Sequence, residues 1–160
     1  MPEPPIELST VHKAAWGGLL LTHALVTRAI NSVLASMGEI SLEQYDVLLA
    51  LEESESGCLT MTQLADAIVF SPSGLTRMVD RLSKKGLVER CQNPKDKRSI
   101  LACVTAEGRL TRERAWHTYS KLIQEHFGRH MSEPEARAMV ELTQRILSRD
   151  TWPGHNNCAE

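Results

Sequence analysis

"SPSGLTRMVDRLSKKGLVERCQNPKDKRSILACVT", residues 71–105, carries a helix start, a helix stop and two β-prone runs in succession. Ser71 followed by Pro72 is a strong helix start. Serine suits the N-cap, and proline suits the first helical position, where no N–H is required. Leu75, Met78, Val79 and Leu82 then recur at i, i+3, i+4 and i+7, the stripe that one helix face buries. Gly86 stands where that helix must end. Beyond it, "LVERC" and "ILACVT" are β-prone runs on either side of the polar "QNPKDKRS".

Working upstream, Thr60-x-x-Gln63 is a capping box that opens a short helix with Leu64, Ala65 and Ile68 apolar. "CLTM" before it reads as a short extended piece. Short helix, turn, helix, glycine and hairpin together make a winged helix-turn-helix, expected over residues 41–105. Ser41-x-x-Gln44 is another capping box, and the helix it opens runs to about Ser54 with Tyr45, Leu48 and Leu49 apolar. Residues 11–37 carry apolar side chains at helical spacing. Downstream, Thr105 caps a long helix, 106–130, and Ser132-x-x-Glu135 opens a last one, ending near Arg149. The expected fold class is mainly α with a small β-wing. The chain is expected to form a single domain over residues 1–160 with flexible ends at 1–10 and 150–160.

Charge is unevenly distributed. The chain has a net charge of −2, yet residues 71–99 hold eight basic and three acidic side chains, leaving an acidic remainder. That asymmetry fits a local electrostatic footprint on an acidic body. A second helix that buries Leu75, Met78, Val79 and Leu82 turns Ser73, Thr76, Arg77, Asp80, Arg81 and Lys84 outward. Ser71, Ser73 and Gly74 at its N-terminus are small, so unpaired N–H groups there can approach a phosphate closely. Arg77 can reach a guanine edge with two hydrogen bonds. Lys84 lies farther along, toward phosphates. In the hairpin loop Lys95, Lys97 and Arg98 suit the phosphate backbone or the minor groove. Asp96 would repel phosphate; it is expected to turn inward, pair with an arginine and brace the loop.

Other classes are poorly supported. There is no P-loop, no G-x-G-x-x-G and no local context for a Ser/His/Asp arrangement, so an enzyme is not expected. A winged helix that binds only protein is the alternative from a different class; the basic recognition face argues against it. No apolar run nears the ~20 residues of a membrane span, and the start lacks a basic leader, so a cytoplasmic protein without membrane contact is expected. The four cysteines, Cys58, Cys91, Cys103 and Cys158, contain no C-x-x-C spacing. Reduced thiols are the default, and Cys91 and Cys103, on opposite wing strands, are the pair that a bridge could join. His126 and His130 stand at i, i+4, a weak zinc signal; no cofactor or resident metal is expected.

The pattern resembles the MarR family of bacterial transcription regulators. The resemblance is carried by Leu64-Ala65, by residues 71–90, by Asp96-x-Arg98, by "VTAEG" at 104–108 and by "SLEQYDVLLAL" at 41–51. It covers roughly residues 11–149. It implies a homodimer in which the helices at 11–37 and 106–149 interlock and hold two winged helices over a palindromic operator in double-stranded DNA. It places Ser73, Thr76, Arg77 and Arg81 at recognition positions, Arg98 at the wing tip and Asp96 as the wing brace. It further implies a repressor released by a small anionic or phenolic effector, for which Trp16, His23, Arg28, Tyr45 and His126 are the candidates here. A thiol- or zinc-responsive regulator of the same fold is the alternative.

Overall fold

The computed structural model describes residues 7–68, 72–94, 96 and 98–148, without the side chains of residues 72 and 73. Helix α1 (Thr10–Ser36) is followed by α2 (Leu42–Glu53), strand β1 (Cys58–Thr60), α3 (Met61–Ala67) and α4 (Pro72–Lys84). Strands β2 (Val88–Gln92) and β3 (Ile100–Val104) lead into α5 (Ala106–His126), a 3-10 turn (Gly128–His130) and α6 (Glu133–Leu147).

Local signals start these helices. The Gln44 N–H donates to Ser41 Oγ, and the Ser41 N–H donates back to the Gln44 side chain. Thr60 and Gln63 repeat the exchange at α3. The Ser132 N–H donates to the Glu135 carboxylate at 2.7 Å. Each such box satisfies main-chain groups that the first turn leaves unpaired. Ser9, in the segment expected to be flexible, caps α1 by accepting from the His12 N–H. The expected cap at Ser71 lies outside the described residues, as do the terminal segments 1–6 and 149–160.

Two elements differ from their expected form. The helix expected over 106–130 stops at His126, and Phe127 leaves helical geometry with φ −134° before the 3-10 turn. The extended piece at Cys58–Thr60 is a full sheet member. It pairs antiparallel with β3, giving a three-stranded sheet of order β1-β3-β2 rather than an isolated hairpin.

One core joins these parts. Tyr45, Val47, Leu48 and Leu51 of α2 pack with Leu64 of α3, the Leu75, Met78, Val79 and Leu82 stripe of α4, and Ala102 of β3. Gly86, at φ 72°, takes the left-handed turn that ends α4. Gly108 lets the start of α5 press against the Leu87 main chain; a Cβ there would collide with the Leu87 carbonyl. A smaller cluster of Ile30, Leu34, Leu42 and Leu122 ties α1 to α2 and α5.

The two ends of the chain differ from this. No residue of α6 is buried, and α1 buries only Ile30 and Leu34. Against expectation, α1 is long and apolar enough to cross a membrane by length and composition alone. Its leucines are diluted by Gly, Ala and Thr, so no continuous apolar run marks it in the sequence.

Candidate nucleic-acid interface

Helix α4 is amphipathic in the way the reading face requires. Leu75 and Val79 are buried, while Thr76, Arg77, Asp80, Arg81 and Lys84 are exposed. Gly74 is half-buried near its start. Arg77, Arg81 and Lys84 take part in none of the ion pairs among the described residues. Their charge is therefore open to an external anion. Ser73 belongs to the first turn of α4, although its side chain lies outside the described residues; Ser71 lies outside them altogether.

The acid on this face is already occupied. Arg90 Nη2 of β2 donates to Asp80 Oδ1 at 2.7 Å. Neither sequence position announces this pair, which is set by how β2 folds back beside α4. Its consequence is electrostatic. Asp80 no longer presents a bare negative charge to a polyanion, and α4 is tied to the root of the wing.

The wing tip is a compact hydrogen-bonded loop. The Asn93 N–H donates to the Ser99 carbonyl at 3.1 Å, and the Ser99 N–H donates to the Asp96 carbonyl at 3.0 Å. Asp96 Oδ1 accepts from the main-chain N–H of Arg98 at 3.0 Å. The expected arginine pair is thus corrected. Asp96 holds a backbone turn two residues on, the local bond that short acidic side chains make well, and it joins no ion pair among the described residues. This leaves the exposed Arg98 guanidinium outside any such pair at the tip. Lys95 and Lys97 lie outside the described residues.

Known proteins share this fold. Residues 39–99 match the MarR family model. The chain is 29% identical over 120 residues to the multiple antibiotic resistance protein MarR of Salmonella typhimurium, covering 75% of this chain and 81% of that one.

The chain belongs to the MarR family.

Among solved structures, a mutant MarR from Escherichia coli complexed with operator DNA is 27% identical, with a TM-score of 0.73 over 88% of this chain and 99% of that one. A MarR family regulator from Streptomyces coelicolor in complex with DNA has a TM-score of 0.82 at 23% identity, over 95% of this chain and 98% of that one. The latter shows the shared fold.

A second feature of this MarR-family chain lies away from the reading face. A cavity of about 1000 Å³ opens between α1, the end of α5 and α6. Trp16, His23 and His126 all line it, together with His12 and His130. Of the expected effector residues, Arg28 and Tyr45 do not line it. Tyr45 is core instead: it is 5% exposed, stacks against Trp116 and meets Tyr119 edge to face. Its hydroxyl accepts from Arg112, whose guanidinium also grips Glu52 through Nε and Nη2. Burial works against the Arg112 charge, but the Glu52 and Tyr45 hydrogen bonds outweigh it and raise its pKa. This network links α2 to α5 across sixty residues of sequence. Spacing along the chain carries no trace of it. His126 and His130 share the cavity wall, and no third ligating side chain completes a metal cluster among the described residues.

Proposed function

We propose that this transcriptional regulator acts as a homodimeric repressor that reads a palindromic operator in double-stranded DNA. Relatives supply the class: they are transcriptional regulators, and two solved neighbours hold DNA. The observation that carries the reading for this chain is the open basic face of α4, Thr76-Arg77 and Arg81-x-x-Lys84, whose acid is neutralised by Arg90. Ser71, Ser73 and Gly74 bring the start of α4 to the groove, and Lys95, Lys97 and Arg98 contact the backbone from the wing, braced by Asp96.

A single domain spans residues 1–160, in which helices over 11–37 and 106–149 form the dimer. The exposed apolar side chains of α1 and α6, among them Leu20 at 51% and Val140 at 53%, support that reading. The α1–α5–α6 cavity suits a small anionic or phenolic effector, with Trp16 stacking on it and His23 and His126 donating hydrogen bonds. A ligand that prefers the wrong spacing of the two heads shifts the population away from DNA binding. The protein works in the cytoplasm, without membrane contact, and α1 is covered by the partner copy.

Selection from random duplexes at moderate salt tests this directly. A palindrome with half-sites about one helical turn apart is the expected product. Failure to enrich any sequence, with non-specific binding absent as well, would turn the reading toward a protein-binding module.

A further inference from the structure

The small sheet sits at the root of the reading head, and its middle strand carries Cys103. On the β2 side Cys103 faces Glu89; on the β1 side it directly faces Cys58. The two Cα atoms are 4.1 Å apart and the sulfurs are bonded. This corrects the expected candidate pairing, Cys91 with Cys103. Cys91 stands opposite Leu101 and is a free thiol. Its diagonal relation to Cys103 implies a Cα separation of about 7–8 Å, too long for a bridge.

Strand pairing sets Cys58 opposite Cys103, and the Ser54 and Ser56 hydroxyls donate to the Cys58 carbonyl. The Val104 N–H donates to the Gly57 carbonyl at 3.0 Å beside the pair. Directly opposed residues at such a non-hydrogen-bonded position have the closest side chains of an antiparallel ladder. Two thiols there can join without moving the strands.

The bond also encloses something. Its ends are 45 residues apart, and between them lie α3, α4, β2 and the wing, the whole reading apparatus. The two sulfurs differ in access: Cys103 is 5% exposed, whereas Cys58 is half-buried. Arg109 lies against Gly57, the neighbour of Cys58; a Cβ on Gly57 would stand 2.6 Å from its Nη2.

We infer that Cys58 and Cys103 form a reversible oxidation site, a dithiol that a hydroperoxide closes into a clasp around the reading head without releasing DNA. The Cys58 thiolate attacks a peroxide oxygen. The O–O bond breaks, leaving a sulfenic acid on Cys58, and the departing oxygen takes up a proton as water or alcohol. The Cys103 sulfur then attacks Cys58 sulfur, the S–O bond breaks, and hydroxide leaves as water with the proton that Cys103 gives up. Two thiols lose two electrons and the peroxide gains them. An external thiol attacks the accessible Cys58 sulfur, the Cys58–Cys103 bond breaks and Cys103 leaves as a thiol; a second external thiol then attacks the mixed disulfide, freeing Cys58 as a thiol and joining the two external sulfurs. Register is the same in both states, so α4 and the wing keep their arrangement. The bond acts on opened forms of the head, whose freedom it removes. Only the clause about DNA rests on the function proposed above.

The test uses the full-length protein, reduced, freed of reductant and treated with equimolar hydrogen peroxide before alkylation and peptide mapping. Cys91 and Cys158 should be alkylated and a Cys58–Cys103 cross-linked peptide recovered, with dithiothreitol restoring all four sites. Alkylation of all four after peroxide, or a bridge to Cys91 or Cys158, overturns the site. Hydrogen exchange of the α3 and α4 amides should slow at least tenfold in the oxidised form; equal exchange overturns the clasp. Binding to the selected duplex should differ by less than threefold between the two forms, and a larger change overturns the sparing of DNA. If neither form binds DNA, the proposed function fails while the thiol map still decides the oxidation site.

Discussion

The reading head and the helical arms both carry apolar helix faces but use them differently. Helix α4 has Leu75, Met78, Val79 and Leu82 on one face and buries all of them. Helix α6 carries Val140, Leu142, Ile146 and Leu147 and buries none. The head closes on its own core because α2, α3, α4 and the sheet surround one another. The arms have only a partial partner in α5. Apolar side chains left in water on one helix after another mark a surface built to be covered. The head closes within one chain, whereas covering the arms is left to the proposed dimer.

Substitutions in each region test this contrast. The largest effect is expected in the head core. Leu48→Ala, at a site with 0% exposure, should cost about 2–5 kcal/mol in urea unfolding. A cost below about 1 kcal/mol would show that the head does not depend on this core. Next comes the reading face. Arg77→Ala should weaken operator binding by about 1–3 kcal/mol and relax specificity at one base pair. Arg98→Ala should instead weaken all sequences alike and reduce the salt slope by about 1. Fluorescence-anisotropy titrations on operator variants at several salt concentrations distinguish the two, and unchanged binding by both variants would remove α4 and the wing from the interface.

In the arms, Leu20→Ala with Ile146→Ala should leave far-ultraviolet circular dichroism unchanged. It should weaken dimerisation at least tenfold, about 1.4 kcal/mol, as measured by analytical ultracentrifugation. An unaltered dimer would mean that α1 and α6 are covered by something else.

The smallest effect concerns Asp46 on α2. Its carboxyl is pushed up to about 6, first by loss of hydration and then by Glu43 one turn away. Because the folded form holds this proton more tightly than the unfolded form, the charge opposes folding as pH rises from about 4 through 6. Asp46 is only partly withdrawn from water, and the remaining exposure screens the effect. Asp46→Asn should therefore stabilise the protein at pH 7.5 by no more than about 1 kcal/mol and make no difference at pH 4. A variant less stable at pH 7.5 would assign Asp46 a favourable charge contact instead.

Much of the head is written in short-range chemistry. The capping boxes at Ser41, Thr60 and Ser132, the α4 stripe and the stop at Gly86 each involve residues within a turn or two. One helix turn brings such residues together whatever the rest of the chain does. The exposed cations of α4 follow from the same periodicity, because burying Leu75 and Val79 leaves Arg77 and Arg81 no other direction. The membrane-length apolar character of α1 forms no continuous run in the sequence, because small residues interrupt its leucines.

The tertiary structure decided the partners. Asp80 and Arg90 are ten residues apart, Cys58 and Cys103 forty-five, and Glu52 and Arg112 sixty. Which of several acids, thiols or arginines meet at such distances depends on strand register and on how α5 crosses α2, both products of closing the common core. Asp96 shows the boundary between the two kinds of information. Its role in shaping the wing could be read from charge, but its partner could not, because a main-chain N–H two residues away competes with every arginine in reach. The cavity between α1, α5 and α6 belongs to the same category. Its wall is assembled from helices that the sequence describes separately and that only their packing brings face to face.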